Sequence, residues 1–107
     1  MKSFLSRIFG GSSQEPLGEE RGPERGEPVI YEGLVIHAAP EKDGGRWRLA
    51  GVIIKESAEG DLERHFLRAD TFTSREEAES FAIRKGQQII DERGMRLFAD
   101  GEKTGRA

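Results

Sequence analysis

Five side chains in the middle of the chain have the chemistry to contact nucleic acid. Arginine guanidiniums donate hydrogen bonds to phosphate oxygens and to base edges, and a β-sheet can present them in the major groove of DNA. The residues fall on two predicted strands of one sheet. The candidates for contact with DNA or another partner are Arg46, Trp47, Arg48, Arg64 and Arg68.

The charge of the surrounding sequence leaves a second interpretation open. Glu41, Asp43 and Glu63 lie close to the candidate arginines, so the same residues could form a charged sheet face that meets only water. Strand side chains also alternate between faces, so neighbouring arginines need not converge. The formal charge of −3 and the pI of about 5.5 argue against a general polyanion binder but permit a local basic patch.

Residues that could catalyse a reaction or hold a metal are sparse. The chain has no cysteine and two histidines, His37 and His65, each within a predicted strand. Zinc usually takes three or four protein ligands, so this set predicts no metal site. Asp70 could act as an acid or base, although turn carboxylates more often accept backbone hydrogen bonds. We therefore expect a non-enzymatic protein without a cofactor.

The strands and the helix that position these residues are predicted from the order of apolar, polar and turn-forming residues between positions 29 and 98. Leu34 to Ala39, Arg46 to Glu56 and Leu62 to about Ala69 predict three strands. The Asp43–Gly44 pair is a strong hairpin signal, and short connections favour antiparallel neighbours. The expected fold class is α+β, a three-stranded antiparallel sheet packed by one C-terminal helix in the order β-β-β-α.

The predicted C-terminal helix is preceded by a hydroxyl side chain with a carboxylate three residues later. Either Thr73 with Glu76 or Ser74 with Glu77 fits this capping box. Gly94 suits the left-handed position that ends a helix. Gly86, inside the helix, costs up to ~1 kcal/mol relative to alanine and predicts a close approach to the sheet.

The two ends of the chain are expected to lie outside this domain. Residues 1–28 predict a short amphipathic helix with Met1, Phe4, Leu5, Ile8 and Phe9 on one stripe, followed by a flexible, disordered linker rich in Gly, Pro and Glu. Residues 99–107 predict a disordered tail. No apolar stretch approaches the roughly 20 residues of a membrane span, and no secretory signal is evident, so we expect a cytoplasmic protein.

Both faces of the predicted sheet carry apolar residues. One helix covers only one face, so the other needs a second covering. A second copy of the chain, the N-terminal segment or another protein could supply it. We favour a homo-oligomer, a homodimer in the simplest case, with a protein–protein adaptor as the rival functional class.

The ordered string of short motifs YEGLVIHAAP, GGRWRLAGVIIKE, HFLRADTFTSREEA and QQIIDERGMRLF resembles the small bacterial HlyU family. The MKSFLSRIFGG start followed by a linker is also similar to its members. The resemblance covers nearly all of residues 29 to 98 and includes no catalytic signature. It implies a cytoplasmic regulatory protein of the transcriptional activator type.

Overall fold

The protein is described here by a computed structural model, which describes residues 24–107. Six strands, one α-helix and one 3₁₀ helix follow one another along this part of the chain. Their bounds are β1 (Val29–Tyr31), β2 (Leu34–Ala38), β3 (Glu41–Asp43), β4 (Arg46–Lys55), β5 (Leu62–Phe72), α1 (Arg75–Arg93), the 3₁₀ helix (Gly94–Phe98) and β6 (Thr104–Arg106).

All six strands belong to one sheet, with the order β1-β2-β4-β5-β6 and with β3 paired to β4. Only the pairing of β6 with β5 is parallel. The expected α+β class with one C-terminal helix is confirmed, whereas the expected count of three strands is wrong. The three predicted strands correspond to β2, β4 and β5, and the additional strands are three-residue segments too short to show an alternating pattern.

Strands β2 and β3 form one long arm of a hairpin with β4. Ala38 pairs with Gly51 and Glu41 pairs with Arg48, so the register is unchanged across the interruption at Ala39 and Pro40. The Ala39 N–H still donates to Ala50 O at 2.8 Å. The backbone nitrogen of Pro40, the next along the chain, faces away from β4, so the missing proline N–H removes no hydrogen bond to β4. The hairpin predicted from Asp43–Gly44 is confirmed.

A bulge interrupts the pairing of β4 with β5. Between the pairs Arg48–Thr71 and Ala50–Leu67, β4 advances two residues while β5 advances four. The extra residues of β5 fall between Leu67 and Thr71. Bulges bend a strand and turn its side chains in a new direction, and Arg68 is one of the residues in this bulge.

The main core lies between the sheet and α1, and we call this the helix side of the sheet. Ile36, Ile53 and Phe66 from the strands are buried against Ala82 and Ile89 of the helix. A Cβ added at Gly86 would lie 2.8 Å from Ile36 Cγ2, so the predicted close approach is confirmed. The opposite face, which we call the groove side, carries a smaller buried cluster of Val35, Val52 and Ile54.

The ends of α1 follow the sequence signals. The Ser74 hydroxyl accepts a hydrogen bond from the Glu77 backbone N–H at 3.1 Å, which selects the second of the two predicted capping boxes. Gly94 has φ 55° and its N–H donates to Ile90 O. The chain then continues as the 3₁₀ helix, which buries Leu97 and Phe98 in the core.

The C-terminal residues differ from the expected disordered tail. Within residues 99–107 the chain turns at Gly101, where φ is 73°, and Thr104–Arg106 then forms β6 on the outer edge of β5. The physical reason is a set of tertiary contacts, centred on Arg64, that local composition does not reveal. The predicted amphipathic helix at the N-terminus and the linker up to residue 23 lie outside the described residues.

Candidate functional site

A groove of about 620 Å³ crosses the groove side of the sheet. Its floor is apolar, and its edge carries three arginines and His65 but only one carboxylate side chain, Glu41. A volume between roughly 300 and 1,000 Å³ is typical of ligand sites. The lining consists of Arg25, Ala39, Glu41, Ala50, Gly51, Val52, His65, Phe66, Leu67, Arg68, Thr104, Gly105, Arg106 and Ala107.

Arg68 reaches this groove because of the bulge in β5. Its side chain is half-buried, and Nη1 donates to the carbonyl of its own neighbour, Leu67, at 3.1 Å. Among residues 24–107, no carboxylate pairs with this guanidinium within salt-bridge distance. Most of its five donors are therefore available to an incoming anion.

Arg46 and Arg48 lie on the same side of the sheet, towards the hairpin. Arg46 donates from Nε to Thr71 Oγ1 at 2.7 Å and from Nη2 to Thr71 O at 3.0 Å, which orients its exposed side chain along β5. Arg48 forms an ion pair with Asp43 at 2.8 Å. An exposed pair of this kind contributes about 0–1 kcal/mol to stability. The Cα partner of Arg48 is Glu41, a groove residue.

Arg64 is placed differently from the other candidate arginines. It lies on the helix side and is 1% exposed, the least accessible charged residue in the described chain. Its guanidinium donates to Leu97 O at 2.7 Å, Glu63 O at 2.7 Å and Glu102 O at 3.0 Å, and to the Asp100 carboxylate. Every part of the guanidinium is used inside the protein, and none of it faces the groove.

Trp47 also lies on the helix side, because its Cα partners are Lys42 and Phe72. The Lys42 ammonium and the Arg75 guanidinium lie 5.0 and 5.4 Å from the centroid of the Trp47 indole. Phe72 in turn stacks on Phe81 of α1 at 4.9 Å. The structure thus separates Trp47 from Arg46 and Arg48, its immediate neighbours in sequence.

Two groove arginines were missed by sequence reasoning. Arg25 lies in the predicted linker, yet its guanidinium contacts Glu63 at 3.1 Å across the face. Arg106 lies in the predicted tail and projects from β6. The Asp100–Gly101 pair is a turn signal that could have indicated a returning strand. No comparable signal marks Arg25.

The titratable groups near the groove are held by hydrogen bonds. His37 Nδ1 lies 2.9 Å from Gly26 O, and since a carbonyl only accepts, this nitrogen carries the hydrogen. His65 Nε2 lies 3.2 Å from Glu63 Oε1. Among the described residues, no cluster of three or more potential metal ligands occurs. The arginine and histidine side chains in and near the groove are suited to ion pairing and hydrogen bonding with an anion.

The fold and the groove define a small α+β protein with an arginine-lined sheet face. A family model described as "Transcriptional activator HlyU" matches residues 3–98 of the 107, so the chain belongs to the HlyU family, and the resemblance noted from the sequence is confirmed. This family is regulatory rather than catalytic. Comparisons with curated proteins and with solved structures gave no significant match. Within residues 24–107, no helix has both the length and the apolar character to cross a bilayer.

Proposed function

We propose that the protein regulates transcription without catalysis, by binding DNA through the groove side of its sheet. The observation that carries the proposal is a local basic excess on an acidic chain. Three arginines and one carboxylate side chain line the groove, and of these arginines only Arg25 is in an ion pair, with Glu63, although the whole chain has a formal charge of −3. Phosphate contacts by arginine supply much of the affinity of a protein for DNA.

The proposed surface consists of Arg46, Arg48 and Arg68, together with Arg25 and Arg106. Arg68 has donors that no described carboxylate uses, and Arg48 Nε is buried without a hydrogen-bond partner among the described residues. Arg46 is held in an exposed position by Thr71. Arg64 and Trp47 are left out of the surface, since they lie on the helix side of the sheet.

The test is binding of a random-sequence DNA duplex at two salt concentrations, followed by fluorescence anisotropy. Each phosphate neutralised by an arginine contributes about −0.9 to the slope of log K against log salt. Arg48→Ala, Arg46→Ala and Arg68→Ala should each weaken binding and reduce that slope by about one. Arg93→Ala is the matched control, because Arg93 is exposed in the last turn of α1.

Salt-independent binding by the wild-type protein, or unchanged affinity in all three variants, would refute direct DNA binding through this face. If Arg93→Ala weakens DNA binding as much as the three groove-side variants do, the affinity depends on the overall charge of the protein rather than on the groove. The three groove-side variants and the control remove the same charge, so net charge does not distinguish them.

A protein–protein adaptor is the second candidate, because apolar side chains share this face. Leu67 lines the groove at 41% exposure and Ile30 is 70% exposed. Exposed apolar area of this kind is typical of surfaces that bind another protein, whether another regulator or a second copy of the chain in a homodimer. Sedimentation of the purified protein would test the homodimer, and an adaptor would show no salt-dependent DNA affinity.

We further propose that the protein works in the cytoplasm, where a regulator of this family would meet DNA. Fractionation of cells followed by immunoblotting would test the location, and recovery with the membrane fraction would contradict it.

A further inference from the structure

The C-terminal part of the chain is organised around one buried side chain. Arg64 donates hydrogen bonds to Leu97 O and Glu102 O and binds the Asp100 carboxylate. Its guanidinium carbon lies 5.0 Å from the centroid of the Phe98 ring. A single guanidinium thus reaches the 3₁₀ helix, the turn that follows it and the residues leading into β6.

Strand β6 pairs along its three residues with Glu63–His65 of β5, and backbone hydrogen bonds flank this pairing at both ends. Glu63 N–H donates to Lys103 O and Ala107 N–H donates to His65 O, each at 2.8 Å. Gly105 lies directly against Arg64, where an added Cβ would be 3.4 Å from Cδ and Nε. A three-residue strand at the edge of a sheet is marginal by itself.

Arg106 shares the groove with Arg68 only because β6 lies where it does. Arg106 pairs in register with His65, which also lines the groove, and its side chain is exposed. No described carboxylate forms a salt bridge with either Arg68 or Arg106. Two unpaired guanidiniums at one groove provide the donors that a phosphate oxygen requires.

We propose that β6 completes an anion site, in which Arg106 and Arg68 bind a phosphate group of the DNA backbone, and that Arg64 is the positioning residue that holds β6 in place. This inference rests on the proposed function. It assigns two different roles to arginines of the same region: Arg106 contacts the ligand, and Arg64 acts only through Arg106.

The experiment combines DNA affinity with amide hydrogen exchange measured by NMR. Arg106→Ala should reduce the salt slope by about one and leave the exchange of the Glu63 and Ala107 amides slow. Arg64→Lys keeps the charge but cannot span the same acceptors, so it should speed exchange at both amides and match the affinity loss of Arg106→Ala. Adding Arg64→Lys to Arg106→Ala should cause no further loss of affinity.

Two variants serve as controls. Arg68→Ala should leave the Glu63 and Ala107 amides protected and should weaken binding further when added to Arg106→Ala. Asp100→Ala removes one partner of Arg64 from a side chain that is 62% exposed. It should reproduce the effects of Arg64→Lys in milder form. Slow amide exchange in α1 would show that each variant is folded. If Arg64→Lys does not fold, Asp100→Ala still tests the proposal.

The proposal is overturned if β6 keeps its amide protection in both Arg64→Lys and Asp100→Ala, or if Arg64→Lys weakens DNA binding further in the Arg106→Ala background. A wild-type protein without salt-dependent DNA binding would overturn the proposed function and the ligand role of Arg106. In that case, faster exchange at Glu63 and Ala107 in Arg64→Lys would still support Arg64 as the residue that positions β6.

Discussion

The two sides of the sheet use the same residue types for different purposes. On the helix side, Arg64 is buried and donates to three carbonyls and a carboxylate. On the groove side, Arg68 is half-buried and donates only to the carbonyl of Leu67 among the described residues. A buried arginine must satisfy all its donors inside the protein, because an unpaired buried charge is very costly. Spare donors therefore mark the side that can bind a ligand.

The apolar residues of β5 show the same contrast. Phe66 points to the helix side at 2% exposure, whereas its neighbour Leu67 points to the groove at 41%. Burial of Phe66 stabilises the fold, whereas Leu67 leaves apolar surface in contact with solvent. Stability and binding are thus divided between adjacent residues of one strand.

The largest expected effect tests this division directly. Phe66→Ala should lower the free energy of unfolding by about 3–5 kcal/mol, because it empties part of the main core. Leu67→Ala should lower it by less than about 1 kcal/mol, since the side chain is already half in water. Urea titration followed by the fluorescence of Trp47, the single tryptophan, measures both. Equal losses would show that the groove side is as tightly packed as the helix side.

The second prediction compares the two arginines. Arg64→Ala leaves the buried Leu97 carbonyl and the Glu102 carbonyl without their donor. The loss of at least one charge-assisted hydrogen bond should lower the free energy of unfolding by about 1.5–3 kcal/mol. Arg68→Ala should change the free energy of unfolding by no more than about 0.5 kcal/mol. The same urea titrations apply. A large loss in Arg68→Ala would mean that Arg68 is structural and would weaken its assignment to the groove.

A smaller effect is expected where α1 approaches the sheet. In Gly86→Ala the new methyl group would lie 2.8 Å from Ile36 Cγ2, so Ile36 or the helix must move. Overpacking costs typically 1–3 kcal/mol, and the gain in helix propensity returns up to about 1 kcal/mol. We expect a net loss of about 1 kcal/mol in thermal or urea unfolding. Lys85→Ala, one residue earlier, is the control, and a stabilised Gly86→Ala would contradict this close packing.

The smallest predicted effect concerns Tyr31, whose hydroxyl donates to Asp91 Oδ1 at 2.8 Å. This hydrogen bond, then partial burial and the negative charges of Asp91 and Glu32, raise the pKa of Tyr31 above its ordinary value. Since the neutral phenol is favoured in the folded state, the stabilisation is complete below the ordinary tyrosine pKa and is lost as the pH rises through the raised one.

Tyr31 is the single tyrosine, so tyrosinate absorbance reports it alone. The titration midpoint of the folded protein should lie above that of the protein unfolded in urea. Asp91→Asn should bring the two midpoints closer together. Identical midpoints in the wild-type protein would show that the contact with Asp91 does not persist in solution.

The sequence predicted the elements that carry strong periodic or capping signals. The hairpin of β2 and β4, strand β5, the start of α1 at Ser74 and its end at Gly94 were all readable, because each depends on residues close in the chain. Phe81 of α1 is 39% exposed and stacks on Phe72, a contact that depends on how the helix packs on the sheet. The short strands β1 and β6 depend on tertiary pairing and left no pattern.

The candidate site was only partly readable for the same reason. Alternation along β4 could place Trp47 opposite Arg46 and Arg48, but the bulge that turns Arg68 depends on the pairing of two strands. The burial of Arg64 depends on acceptors more than 30 residues away in the chain. Arg25 and Arg106 lie in segments whose composition resembles that of linkers, and only the completed sheet brings them to the groove.

The break between β2 and β3 places a proline inside the protein, since Pro40 is less than 2% exposed. The Ala39 N–H donates to Ala50 O, so the backbone nitrogen of Pro40 faces away from β4. Because proline has no N–H, this buried position carries no donor that needs an acceptor. Replacing Pro40 with valine would bring in such a donor, and leaving it without an acceptor would destabilise the fold by about 1–3 kcal/mol.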